Sequence, residues 1–153
     1  SDNVHVKETV CLIVELYGGA AQASEISSSH LNLLTQFMTA SISHLSGLMT
    51  QYAHDLTICT GLLKIFCIYA EQFIALLNRE QSLTLFQASA DLLKAYSSQH
   101  CTSRVIVIPT SKTYEEEKDY TDVLCAIQLL THLGTKDFID VCSNGNNALD
   151  TVE

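Results

Sequence analysis

Proline and glycine are scarce in this 153-residue chain, which has one proline, six glycines and no tryptophan. Disordered chains and collagen-like helices are rich in those two residues and poor in apolar ones. Here 47% of the residues are hydrophobic, which at this length is enough for a sizeable core. The composition therefore excludes both classes and favours one globular unit built from long regular elements.

The motifs of common catalytic and metal sites are also absent. No two of the six cysteines form a CxxC pair, no two histidines stand four residues apart, and no phosphate-binding loop, GxSxG, HExxH or EF-hand pattern occurs. Most cysteines lie in apolar segments, which indicates reduced, buried thiols in a cytosolic or nuclear protein. We expect no enzyme activity, cofactor or metal. The one alternative is a reactive thiol at Cys101, for which the neighbouring His100 could act as base.

Charge is distributed unevenly along the chain. Residues 26–54 contain no Asp, Glu, Lys or Arg, yet they are rich in Ser, Thr, Asn, Gln and His, unlike a membrane-spanning segment. Of the net charge of −9, residues 115–153 carry −7, from nine acidic and two basic residues. Such a chain repels phosphate backbones. The sequence therefore predicts neither nucleic-acid binding nor membrane insertion, and it favours basic partners.

Apolar residues recur at spacings of three and four in five segments, which predicts helices and no sheet. The predicted helices cover about residues 4–22, 28–52, 55–77, 81–98 and 115–133. The first four form two similar pairs, about 4–52 and 55–98. A linker over about 99–113 then leads to the first helix of a third pair and a tail. Regularly recurring antiparallel pairs are typical of α-solenoids. The expected fold is all-α, a HEAT- or armadillo-like superhelix over the whole chain.

The apolar pattern also predicts which faces are buried. The second helix has a seam of six apolar residues, Leu31, Leu34, Met38, Ile42, Leu45 and Met49. Beside it runs a second stripe, Leu33, Phe37, Ala40, His44 and Leu48. Two stripes predict that this helix is sandwiched between neighbours. The third helix is apolar almost all round and should be the most buried. The fifth is expected to pack through Tyr120, Val123, Leu124, Ile127 and Leu130.

Residues 103–122 differ from the rest of the chain. Four branched apolar residues, 105–108, precede the only proline, Pro109, and an acidic run follows. A lone strand has no partner in a helical array, and proline favours extended geometry before it. We predict an extended linker in which one alternate pair of residues packs on the helix ends. Thr113 and Glu116 have the spacing of a capping box, so the acidic run is predicted to be the first turn of the fifth helix.

Two segments carry a resemblance to a known family. The stretches "LTLFQASADLLKAYSSQH" (residues 83–100) and "YEEEKDYTDVLCAIQLLTHLGTKDFIDV" (residues 114–141) are similar to an internal part of the exportins, karyopherins of the importin-β superfamily. The resemblance implies a HEAT-repeat solenoid that binds Ran-GTP and protein cargo, contacts nuclear pore proteins and shuttles between cytoplasm and nucleus. The alternative is a HEAT-repeat interaction scaffold unrelated to transport.

The same resemblance suggests where a partner would bind. In HEAT-type receptors the second helix of each pair lines the concave side, so the second and fourth helices are expected to be inner and the others outer. The fourth helix carries a polar line that includes Gln87, Asp91 and Lys94. These three residues are the candidate partner-binding surface, and the alternative is an ordinary solvated face.

Overall fold

A computed structural model of the protein describes residues 2–22, 28–101 and 120–135. Five α-helices account for most of these residues: α1 Asp2–Gln22, α2 Ser28–Gln51, α3 Leu56–Phe73, α4 Arg79–Tyr96 and α5 Thr121–Leu133. A 3-10 turn, Ile74–Leu76, extends α3, and a π-helical turn, Ser97–Cys101, extends α4. The described ranges contain no strand. The prediction of an all-α protein is confirmed.

Side-chain caps fix where α3 and α4 begin. The Asp55 carboxylate accepts hydrogen bonds from the backbone N–H groups of Thr57 (3.1 Å) and Ile58 (3.3 Å), which fixes the start of α3. Asn78 and Gln81 form a reciprocal capping box at the start of α4. Both connections are short: residues 52–55 join α2 to α3, and residues 77–78 join the 3-10 turn to α4.

The helices lie in two layers. One layer contains α1, α3 and α5, with extensive contacts from α3 to both of its neighbours, and the other contains α2 packed along α4. Contacts of α2 and α4 with α3 join the layers. The strongest contacts thus join helices of the same layer, α1 with α3, α3 with α5, and α2 with α4. Which layer would be concave in a longer array stays a prediction.

Helix α3 forms the centre of the core. Ten of its 18 residues are buried, and its aromatic side chains Phe66, Tyr69 and Phe73 are fully enclosed. The prediction that it is the most buried helix agrees with this. By length and composition alone, the stretch Leu56–Leu76 could also span a membrane. Its apolarity is explained here by its position, because it contacts every other helix of the stack.

Only one of the two stripes predicted on α2 is covered. Four residues of the predicted seam are buried against the core, namely Met38, Ile42, Leu45 and Met49. On the second stripe, Leu33 and Phe37 remain more than half exposed, although the Phe37 ring stacks on Tyr17 of α1. The expected sandwich is thus only partly present, because α4 packs along α2, whereas α1 meets the second stripe through the Phe37–Tyr17 stack and leaves Leu33 exposed.

The face predicted for α5 is wrong. Leu124, Ile127 and Leu130, which were expected to pack, are about half exposed. The face turned towards α3 is instead formed by Asp122, Cys125, Ala126, Leu129 and Leu133. The small side chains of Cys125 and Ala126 let α5 lie close to α3, and the larger Leu129 and Leu133 are buried on the same face.

The predicted linker starts too early. Residues 99–101 belong to the π-helical turn after α4, so the helical part of the chain continues to Cys101. The remaining linker, the packing of residues 105–108, the Thr113–Glu116 capping box and the tail lie outside the described residues.

Candidate partner-binding surface

The three candidate residues lie together on the exposed face of α4. Gln87, Asp91 and Lys94 are spaced four and three residues apart and are all exposed. The Nε2 of Gln87 donates a hydrogen bond to Oδ1 of Asp91 over 3.2 Å. The opposite face of α4 is buried and contacts α2, which turns the three polar side chains away from the core.

Asp91 and Lys94 also line a groove where α4 passes the end of α2. The groove has a volume of about 420 Å³, and its lining residues are Thr50, Ala53, Asp91, Lys94, Ala95, Ser98 and Gln99. Gln87 is outside it but is joined to it through Asp91. The groove therefore offers one carboxylate, one ammonium group, hydroxyls and an amide, which suits hydrogen bonding to a protein surface better than binding of a strongly charged ligand.

A buried chain of contacts lies next to this groove. The π-helical turn places Nε2 of His100 2.7 Å from the carbonyl oxygen of Ala53, in the turn after α2. The His100 ring stacks on Tyr96 at a centroid distance of 5.2 Å. The Tyr96 hydroxyl donates a hydrogen bond to Oδ2 of Asp122 over 2.6 Å. Side chains from α4 thus connect the end of α2 to the start of α5.

This chain of contacts could not be predicted from the sequence. Asp122 ends the acidic stretch that was predicted to be the first turn of the fifth helix, and it is only 2% exposed. A buried carboxylate is costly unless it accepts hydrogen bonds, which explains the position of the Tyr96 hydroxyl. His100, considered as a base for Cys101, instead contacts the Ala53 carbonyl, while Cys101 is exposed.

A larger furrow runs over α3 between α1 and α5. It has a volume of about 780 Å³, and residues Thr57, Gly61, Lys64 and Ile68 form one stripe along it. Its sides come from α1, including Cys11 and Glu15, and from the first residues of α5. No sequence pattern indicates this furrow, because it depends on how closely α1 approaches α3 at Gly61.

Ionic contact between the two helix pairs is concentrated at the start of α3. Nζ of Lys7 lies 2.6 Å from Oδ2 of Asp55, so the residue that caps α3 also binds α1. The hydrogen bond from Lys7 holds the pKa of Asp55 below its usual value of 3.8, and Asp55 in turn raises the pKa of Lys7. Asp55 therefore connects the first and second pairs as well as starting α3.

The buried thiols are not activated for nucleophilic attack or metal binding. Burial raises the pKa of Cys59 and of Cys67 to about 11 and also raises the pKa of Cys125. The thiolate is the form that attacks substrates and binds metals, and these thiols stay protonated at neutral pH. Among the described residues, no group of three His, Cys, Asp or Glu side chains could hold a metal ion.

No family model and no solved structure matches the chain.

Proposed function

We propose that this chain is an internal part of an α-solenoid nuclear transport receptor of the exportin type, similar to exportin-4. In this proposal the receptor binds Ran-GTP and protein cargo, contacts nuclear pore proteins and moves between cytoplasm and nucleus. The observation that carries it is the two-layer stack of helices, in which large apolar side chains of α1, α2, α4 and α5 are about half exposed or more.

Both ends of the stack expose large apolar side chains. The amino-end face, on α1 and α2, consists of Leu12, Ile13, Leu16, Leu33 and Phe37. The carboxyl-end face, on α4 and α5, consists of Leu83, Phe86, Leu124, Ile127 and Leu130. A solenoid repeat cannot bury its apolar faces alone and relies on its neighbours, whereas a terminal repeat has a polar outer side. Two apolar ends therefore favour an internal part of a longer array.

The resemblance to exportins adds the transport function to this architecture. The first similar segment, residues 83–100, corresponds to most of α4 with its π-helical turn, and the second, residues 114–141, includes α5. These elements carry both the candidate polar line and the carboxyl-end face. The net charge of −9 further favours basic protein partners over nucleic acid.

Nucleotide-dependent binding to Ran tests the transport proposal. The intact protein that contains this chain would be titrated with Ran loaded with a non-hydrolysable GTP analogue and, in parallel, with Ran-GDP, using calorimetry. We expect binding to the GTP form and much weaker binding to the GDP form, because transport receptors recognise the nucleotide state. Equal binding to both forms, or no binding, would favour the alternative of a scaffold unrelated to transport.

A charge reversal tests the candidate surface. Asp91→Lys with Lys94→Glu keeps the net charge while inverting both groups that line the groove, and Gln72→Lys on α3 is a control in the other layer. If α4 contacts a partner, the double variant of the intact protein should weaken binding of cargo or of Ran-GTP, and the control should not. Unchanged binding of both would make the polar line an ordinary solvated face.

A further inference from the structure

The groove beside Asp91 is bounded by residues that lie beyond the ends of two helices. Thr50 and Ala53 line it from the end of α2 and the turn that follows. Ser98 and Gln99 line it from the π-helical turn after α4. Such turns are rare and occur frequently at functional sites. Residues at the end of a helix fray readily, so the position of this side of the groove depends on what the turn contacts.

His100 fixes the turn, although its own side chain is outside the groove. Its Nε2 lies 2.7 Å from the carbonyl oxygen of Ala53. A carbonyl oxygen only accepts hydrogen bonds, so Nε2 carries the proton and donates it. Because Ala53 also lines the groove, this one hydrogen bond joins the π-helical turn directly to the opposite side of the groove.

The imidazole of His100 is supported from its other side by Tyr96. The two rings stack at a centroid distance of 5.2 Å. Tyr96 is only 3% exposed, and its hydroxyl donates a hydrogen bond to Oδ2 of Asp122 over 2.6 Å. The ring beneath His100 is therefore held by α5. A side chain fixed by packing on one side and by a hydrogen bond on the other is suited to hold its neighbours in position.

We infer that His100 is a positioning residue of the candidate partner-binding groove and acts through Ser98 and Gln99. By binding the Ala53 carbonyl it sets the distance between the two sides of the groove before a partner arrives. A groove arranged in advance binds more tightly, because less freedom is lost on association. The inference rests on the proposed role of α4 in partner binding.

Amide hydrogen exchange of the full chain tests this role without a partner. His100→Leu removes the donor, His100→Gln keeps an N–H donor at a similar reach, and His44→Leu at an exposed position of α2 is the matched control. We expect His100→Leu to speed exchange at residues 98–101 about three- to tenfold, the factor that one net hydrogen bond contributes. His100→Gln should restore most of the protection, and the control should not change it. Exchange in the middle of α4 should stay the same in all three variants.

Three exchange results would overturn the inference. Exchange at residues 98–101 could be unchanged in His100→Leu, or it could rise equally in His100→Gln, which would leave the hydrogen bond without effect. Exchange could also rise throughout the chain, which is what a general loss of stability gives.

Binding separates the inference from the proposed function. In the intact protein, titrated with Ran carrying the GTP analogue, His100→Leu should weaken binding if the Asp91/Lys94 charge reversal does, and His100→Gln should not. If the reversal weakens binding and His100→Leu does not, the positioning role is wrong and the partner surface holds. If the reversal changes nothing while residues 98–101 exchange faster in His100→Leu, the partner surface fails and the positioning of the turn holds.

Discussion

Replacing Gly61 by alanine tests how closely α1 packs against α3. A Cβ added at Gly61 would lie 2.5 Å from Cγ1 of Val14, far inside the usual contact distance. Val14 cannot easily turn aside, because it is only 7% exposed and valine in a helix is nearly confined to one rotamer. The absence of a side chain at residue 61 is therefore what allows α1 to approach α3.

Two opposing effects decide the size of the change. Glycine to alanine inside a helix stabilises the fold by about 0.8–1.0 kcal/mol through helix propensity. Overpacking a tight contact costs about 1–3 kcal/mol. We therefore expect Gly61→Ala to lower the free energy of unfolding by about 1 kcal/mol. Gly47→Ala in α2 is the matched control, because a Cβ there meets no atom within 4 Å. It should raise the free energy of unfolding by about 0.5–1 kcal/mol.

Thermal and urea unfolding of the two variants measure this difference. A gap of about 2 kcal/mol corresponds to about 4–8 °C in Tm for a chain of this size. In a Val14→Ala background the clash disappears, so Gly61→Ala should then behave like the control, with a coupling energy of about 1–2 kcal/mol. If Gly61→Ala stabilises the original protein as much as Gly47→Ala does, α1 does not pack closely against α3 at Gly61.

Three further predictions concern single contacts. Asp55→Asn keeps a capping oxygen but removes the charge. Because folding lowers the pKa of Asp55, the original protein should be more stable than the variant above pH 3.8. The melting curves of the two proteins should converge as the pH falls below that value. A constant difference at all pH values would contradict this. Tyr96→Phe removes a donor to the buried carboxylate of Asp122 and should cost about 1–3 kcal/mol in urea unfolding; an unchanged midpoint would show that the bond contributes nothing. A thiol reagent at neutral pH should label the exposed Cys101 and leave the buried Cys59 unlabelled. Peptide mapping identifies the labelled residues. Rapid labelling of Cys59 in the native protein would refute its burial.

The parts of the fold that could be predicted are those set by local periodicity. The seam of α2 was evident because Met38, Ile42, Leu45 and Met49 recur at helical spacing among polar residues. The central position of α3 was predicted from its being apolar almost all round, a pattern that belongs to a helix enclosed in a protein core or in a membrane. In both cases a single helix carried enough information to identify its buried face.

What could not be predicted depends on how closely helices approach one another. In α5, apolar residues occur on more than one side, and hydropathy favoured the larger Leu124 and Ile127 over the smaller Cys125 and Ala126. The contact of His100 with Ala53 and that of Tyr96 with Asp122 join residues 47 and 26 positions apart in the chain. Neither contact therefore has a local sequence signal.

The most direct test of the central claim is an electron cryomicroscopy reconstruction of the intact protein bound to Ran-GTP. We predict that the amino-end and carboxyl-end faces are each covered by further helices, that α2 and α4 lie in one layer of a continuous superhelix, and that Ran is held by that superhelix. A reconstruction in which these faces meet solvent or a domain of another fold, or in which no Ran density appears, would contradict the account.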